Sequence, residues 1–337
     1  MHEPIRVRNL WKVFGGPVQT VLDPDRLAAD PTARIAVRDV SLEVRAGEIL
    51  VVMGLSGSGK STLLRMLNGL ITPSAGEVEV DGRLLQDVSR KDLICLRRSN
   101  MAMVFQSFAL FPQRTALDNA AFGLEVAGLP RRQRIQKASD ALERVGLGND
   151  LHRRPSQLSG GMRQRVGLAR ALALDPPVLL MDEAFSALDP LIRRDMQDLL
   201  LDLQREHRRT IVFVSHDLDE AVRIGDRIAL MQEGSLLQCG PAEELLLHPR
   251  EAAVTSFFRG LDKTTVLRVE SIAEPPPDDL VIPSQECDQH LLQSSTLLRE
   301  AVSTVAAAGG PVPVVNDHQQ IIGVVTAEGL LHAIGNQ

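Results

Sequence analysis

Gly54-Leu55-Ser56-Gly57-Ser58-Gly59-Lys60-Ser61 follows the apolar run ILVVM (49–53) and opens a stretch striped by Leu63, Leu64 and Leu67. This is a complete G-x-x-x-x-G-K-[ST] pattern between a buried strand and a helix, the setting in which it cradles phosphate. Its glycines let backbone N–H groups turn inward around phosphate oxygens, and the helix start adds the positive end of a dipole. Gly54, Ser56, Gly57, Ser58 and Gly59 are predicted to line a phosphate site, with Thr62 beside them. Lys60 is predicted to reach the β- and γ-phosphates, and Ser61 to ligate Mg²⁺.

Such a loop needs a parallel sheet whose strands end on one edge, and the rest of the chain supplies one. Residues 5–14 and 35–44 alternate apolar and polar, as half-buried strands do. MAMVF (101–105), VLLM (178–181) and TIVFVS (210–215) are short apolar runs, the last two followed by an acidic or polar loop and a helical segment. Buried strands alternating with helices indicate a parallel α/β core. Near 241–262 the pattern turns to a closing helical stretch, and EPPPDD (274–279) reads as linker. The last fifty-odd residues then read as a small β-α-β-β-α unit, with a helix in LLREAVSTVAAAGG, strands in PVPVV and IIGVV, and a helix in TAEGLLHAI.

Val178–Met181 ends in Asp182 and Glu183. Asp182 at the strand end is suited to hold Mg²⁺ through water, and Glu183 to polarise an attacking water. Elsewhere an acidic pair after a strand is more often a solvated loop or a helix cap; behind a phosphate loop it reads as catalytic. His216 follows a third strand and so reaches the same crevice. Leu158-Ser159-Gly160-Gly161-Met162 precedes an Arg- and Ala-rich helix, RQRVGLARAL. A hydroxyl, two close-approach glycines and free N–H groups make a second phosphate-binding device, although in isolation the motif is equally a cap and turn. One chain cannot easily aim both devices at one γ-phosphate, so the second is expected to serve a neighbour's nucleotide.

Composition trims the alternatives. A net charge of −6 and a pI near 5.8 argue against a nucleic-acid footprint over the whole chain. Positive charge is 32 Arg against 5 Lys, so Lys60 stands out from its background. Cys95, Cys239 and Cys287 are too far apart for a disulfide framework or a metal site, and read as buried thiols in a reducing cytosol. The start lacks a signal peptide's apolar stretch, and no uncharged run offers the ~20 apolar residues of a spanning helix. The chain is expected to be soluble, or held at a membrane by a partner.

In order, the phosphate loop, Gln106, LSGGM, LLMDE, SALD (Ser186–Asp189) and His216 make the chain resemble the ATPase subunit of an ABC transporter. The resemblance covers about residues 5–260; Met162 stands where glutamine is commoner. It implies an α/β fold, a P-loop NTPase with a RecA-like parallel sheet core and antiparallel β and α-helical subdomains. It further implies that Gln106 contacts Mg²⁺ and the attacking water and senses a membrane subunit. Ser159, Gly160 and Gly161 would bind ATP held by the opposite protomer, Asp189 would link the two sites, and His216 would contact the γ-phosphate. Phe14 is the best match to an adenine-stacking aromatic, with Trp11 as the alternative.

NLWKVFG with its insertion, VMGLSGSGKST, MVFQSFALFP, MDEAFSALDPLIR and SHDLDEAVRIGDRIALMQ are similar to the glycine betaine/proline/choline import branch. Those importers append CBS modules, and residues 283–337 look like one small α+β module of that kind. The expected organisation is an ATPase at 1–262 with an insertion at 15–34, a linker at 263–282 and a single CBS-like module at 283–337. With so short a linker, the usual first module is missing or shortened, so the one present would pair with its copy. The resemblance implies a homodimer sandwiching two MgATP, integral membrane permease subunits reached through the Gln106–Glu125 region, and an external solute-binding protein. It places the chain on the cytoplasmic face of the membrane, working in osmoprotectant uptake. A soluble ABC ATPase acting on ribosomes or DNA is the alternative; this chain has a single ATPase unit, no heptads and no basic stripe. A P-loop kinase would leave LSGGM and SALD without a role.

Overall fold

In the computed structural model, residues 3–15, 32–275 and 291–335 are described, and the chain divides into two units, Met1–Pro241 and Ala242–Gln337. Most of the insertion at 15–34, the end of the expected linker and Cys287 lie outside the described residues.

The first unit contains two sheets. β1 (Ile5–Phe14), β2 (Arg34–Val44), β4 (Ala75–Val80) and β5 (Arg83–Leu84) form an antiparallel sheet in the order β2-β1-β4-β5. Its alternation buries Ile5, Val7, Leu10, Val40, Leu42 and Val44 on one face. The second sheet has the order β10-β9-β3-β8-β7-β6, from β3 (Ile49–Met53), β6 (Met101–Phe105), β7 (Val178–Asp182), β8 (Thr210–Ser215), β9 (Arg227–Gln232) and β10 (Ser235–Gly240). Every neighbouring pair in it is parallel except β9 with β10. β3, β7 and β8 are buried along their whole length, which is why their sequences are continuous apolar runs without alternation.

The inner faces of both sheets share one core with α1 (Lys60–Leu67), through Leu63, Leu64, Met66 and Leu67. After α2 (Arg90–Ser99), α3 (Ala116–Val126), α4 (Arg131–Arg144) and α5 (Gly160–Leu172) pack on one another. Asn119, fully buried on α3, fixes the loop before it by bonding both N and O of Phe111. α6 (Pro190–His207) and α7 (Leu218–Ile224) follow β7 and β8.

The second unit starts earlier than the expected boundary at 262. α8 (Ala242–Leu247) and α9 (Ala252–Phe257) belong to it by contact. Residues 263–275, expected as linker, are ordered: Leu267 and Val269 enter the second core, and Glu274 pairs with Val324. Apolar residues in a segment read as linker had a core to join, and Leu246 of α8 packs against the same cluster. The rest follows the expected order: β11 (Leu292–Gln293), α10 (Leu298–Ala308), β12 (Val312–Val315), β13 (Ile321–Val325) and α11 (Ala327–Gly335), with sheet order β11-β12-β13.

Candidate functional site

Strand register assembles the site. Met53 lies beside Ser215, Val214 beside Asp182, and Asp182 beside Phe105. Gly54, His216, Glu183 and Gln106 follow these strand ends, so four segments distant in sequence emerge on one edge of the sheet.

The loop 54–59 ends in Gly59, which N-caps α1 at φ +98° with no side-chain cap. A Cβ there would stand 2.1 Å from the Ala36 carbonyl oxygen, so the turn requires glycine. The first N–H groups of α1 therefore keep their hydrogen-bonding capacity for an anion. Lys60 is 4% exposed, and its Nζ donates to the carbonyls of Gly54 (2.7 Å) and Leu55 (2.9 Å). Burial lowers its pKa, while the charges of Glu183 and Asp182 push the other way. The hydroxyl of Ser58, two residues before, is buried and has no partner among the described residues.

A cleft of about 310 Å³ opens over this loop, lined by Ser56, Gly57, Gly59, Lys60, Ser61, Thr62, Phe14, Arg34, Ala36 and Glu183. Phe14 lies at its edge, and Lys12 Nζ stands 5.1 Å from the ring centroid. Trp11 is half-buried, pairs with Ala75 and does not line the cleft.

Ser61 Oγ donates to Asp182 Oδ1 at 2.7 Å, and Arg65 NH2 lies 3.7 Å from Asp182 Oδ2. A hydroxyl and a carboxylate oxygen this close fit a small hard cation that takes few protein oxygens and completes its shell with phosphate and water. Among the described residues, no group of three or more His, Cys, Asp and Glu forms an all-protein metal cage. The donor set thus suits Mg²⁺ arriving with a nucleotide.

Glu183 lies at φ +45°, a left-handed conformation uncommon for a residue with a side chain. Its Oε2 accepts from Gln106 Nε2 at 3.1 Å and lies 3.5 Å from His216 Nδ1. Ser186 Oγ donates to the Glu183 carbonyl at 2.9 Å and accepts from Gln106 at 3.2 Å. Glu183 also lines the cleft over Lys60, where a carboxylate can accept a hydrogen bond from water.

Ser159 N-caps α5, its Oγ accepting from Met162 N at 3.2 Å, and Asp189 N-caps α6, accepting from Ile192 N at 3.1 Å. Neither helix start lines the cleft formed by the same chain. Sequence reasoning missed Arg34 and Arg65, and gave Ser186, the first residue of SALD, no role of its own. Arg34 is the register partner of Phe14, but with the insertion between them that pairing is invisible in the sequence.

A family model described as ABC transporter matches residues 37–186. The chain is 43% identical to the glycine betaine/proline betaine transport system ATP-binding protein ProV of Escherichia coli, over 99% of this chain and 98% of that relative. That alignment runs to 391 positions against 337 residues here, so the relative contains stretches this chain lacks. It is 48% identical to the glycine betaine/carnitine transport ATP-binding protein GbuA of Listeria monocytogenes, over 81% of this chain and 70% of the relative. It is 49% identical to the trimethylamine N-oxide transport system ATP-binding protein TmoW of Ruegeria pomeroyi, over 80% and 81%. Among solved structures, the dimeric post-hydrolysis state of an ATP-binding cassette bound to ADP and Pi matches with TM-score 0.62 and 32% identity, covering 70% of this chain and 98% of that one.

Proposed function

The chain belongs to the ATP-binding subunits of ABC transporters, and from that premise we propose that it drives uptake of a betaine-type compatible solute, a small zwitterion or quaternary amine. The relatives are named for glycine betaine, proline betaine, carnitine and trimethylamine N-oxide, compounds that share a polar, fully substituted nitrogen centre. Glycine betaine, choline and proline are the solutes to test first.

ATP is the substrate, bound over residues 54–62. Lys60 donates to the β- and γ-phosphates, and the uncapped N–H groups of the loop and α1 hold the phosphate chain. Phe14 stacks on the adenine. Ser61 and Asp182 would hold Mg²⁺, with Gln106, bonded to Glu183, as a further ligand. Held there, such an ion would supply charge neutralisation to the phosphates. Glu183 orients the attacking water and accepts its proton, and His216 contacts the γ-phosphate. The observation that carries this reading is the convergence of Gln106 and His216 on one carboxylate oxygen of Glu183 beside the Lys60 cleft.

Ser159, Gly160 and Gly161 stand apart from their own chain's cleft, which supports a second copy supplying them across a dimer with two nucleotides between the copies. Asp189, at the start of α6, lies in the loop linking the two sites. Closure and reopening of that dimer would be passed to membrane permease subunits through the Gln106–Glu125 region. There Arg114 pairs with Glu125 and stacks on Phe111 and Phe122. No helix among the described residues is long and apolar enough to cross a membrane, which fits a peripheral subunit at the cytoplasmic face. An external solute-binding protein would deliver the cargo. Residues 283–337 are read as the CBS-like module.

The test is ATP turnover by the complex reconstituted with its permease and binding protein. Stimulation by glycine betaine, choline, proline, carnitine or trimethylamine N-oxide is the expected result. Turnover indifferent to all five, or raised only by ribosomes or DNA, would favour the soluble alternative.

A further inference from the structure

Arg193 lies in the first turn of α6, outside the cleft, yet it touches both loops that flank Glu183. Its NH1 pairs with Asp217 Oδ2 at 2.9 Å, and its NH2 donates to the carbonyls of Leu188 (3.2 Å) and Ser186 (3.5 Å). Its Nε is buried without an acceptor among the described residues, so the other two nitrogens carry all its contacts.

One turn along the same helix face, Gln197 Nε2 donates to Glu220 Oε1 at 3.1 Å. Glu220 Oε2 accepts from Ser215 Oγ at 2.6 Å, and Ser215 Oγ accepts from Asp217 N at 3.0 Å. Asp217 Oδ1 caps α7 by accepting from Glu220 N at 3.1 Å. His216 is therefore held between two residues, Ser215 and Asp217, both tied to α6. On the other side, Ser186 bonds Glu183 and Gln106. A ring thus runs from Glu183 through Gln106, Ser186, Arg193 and Asp217, across the peptide bond to His216, and back to Glu183.

We infer that Arg193 is a positioning residue that locks the loop Ser186–Asp189 to the turn Ser215–Asp217, so that a shift of that loop reaches His216 and Glu183. The inference deepens the dimer reading above and rests on it, because the second copy is what would move Asp189. The planar guanidinium suits this role, because it offers donors in fixed directions to a carboxylate and two carbonyls at once. Lysine supplies the charge without the fork. The two loops are thus joined by the Arg193 contacts to Asp217, Ser186 and Leu188, and the turn is joined to Glu183 through His216, whose Nδ1 lies 3.5 Å from Glu183 Oε2.

The experiment measures ATP turnover of the full chain with its permease, and nucleotide affinity with a fluorescent ATP analogue. The variants are Arg193→Ala, Arg193→Lys, Asp217→Asn and the double variant Arg193→Ala/Asp217→Asn. Asp217→Asn keeps the cap oxygen and breaks the ion pair. Arg193→Ala is expected to lower kcat about tenfold, with nucleotide affinity within about twofold of the parent. Arg193→Lys should fall between, and the double variant should be no slower than Arg193→Ala alone. Unchanged kcat, losses that multiply, or affinity falling in step with kcat would overturn the inference. If Arg193→Ala does not fold, Arg193→Lys and Asp217→Asn decide on the same split between kcat and affinity. Failure of the underlying reading looks different: a parent without turnover, or Glu183→Gln hydrolysing at the parental rate.

Discussion

Glu183 occupies left-handed backbone at the point where β7 ends, and this aims its carboxylate at the cleft beside Lys60. Strain of this kind costs of order 1–3 kcal/mol and persists where surrounding contacts over-determine it. Here the Glu183 N–H donates to Val214 O at 3.2 Å and its carbonyl accepts from Ser186. Glu183→Gln keeps shape and backbone but cannot take a proton from water. Phosphate release is expected to fall about 10²–10⁴-fold, the range for a lost general base. Lys60, Ser61 and Asp182 would still hold MgATP, so unhydrolysed nucleotide should trap two chains together. Size exclusion with and without MgATP, beside a phosphate-release assay, checks both halves. Parental turnover in this variant would move the base elsewhere, to His216 first.

At the scale of elements, the strands most open to reading were those whose burial writes a pattern: two alternating runs at 5–14 and 35–44, and the unbroken apolar runs of β3, β7 and β8. β10 escaped because an edge strand with mixed burial has no clear period, and two-residue β5 is too short to show one. The site divided the same way. Residues inside contiguous motifs were legible, since a phosphate loop or an acid-tipped strand is a local device. The tie between α6 and α7 was not, because Arg193–Asp217 and Gln197–Glu220 join residues that only the tertiary fold brings together. That tie also makes a pH prediction. Burial raises the pKa of Glu220 above 4.5, against the lowering effect of hydrogen bonds from Ser215 and Gln197. The native state then holds the Glu220 proton more tightly than the unfolded chain does. Its contribution to stability is therefore full below pH 4.5 and lost as pH rises through the native pKa. Relative to the parent, Glu220→Gln should gain stability as pH rises from about 4.5 toward neutrality, read by denaturant unfolding at several pH values. A gap between the two proteins that stays constant with pH would mean that Glu220 does not titrate differently on folding.

For the whole molecule, the division at Pro241 sets the natural place to cut. Every residue in the ring around Glu183 and every residue lining the cleft precedes it, and the second unit has its own core around Leu267, Val269, Leu298, Val312 and Val325. A chain ending at Pro241 should hydrolyse ATP at a rate of the same order as the full chain. A cut after Asp262 would instead leave α8 and α9 without the Leu267 and Val269 they share a unit with, and should give a less soluble product. A folded, permease-bound chain ending at Pro241 with no turnover would show that the second unit takes part in catalysis. The sheet order has a kinetic corollary. β3 lies between β8 and β9, which come from far along the chain, so His216 meets the phosphate loop only after long-range parallel pairing is complete. A refolding chain therefore offers nucleotide no half-built pocket to seize. MgATP should leave the refolding rate from denaturant unchanged and act wholly on unfolding. At a thousandfold excess over Kd it would lengthen the native lifetime about a thousandfold, matching about 4 kcal/mol of linkage. Nucleotide that hastened refolding would instead mean that these strand ends meet before the barrier is crossed.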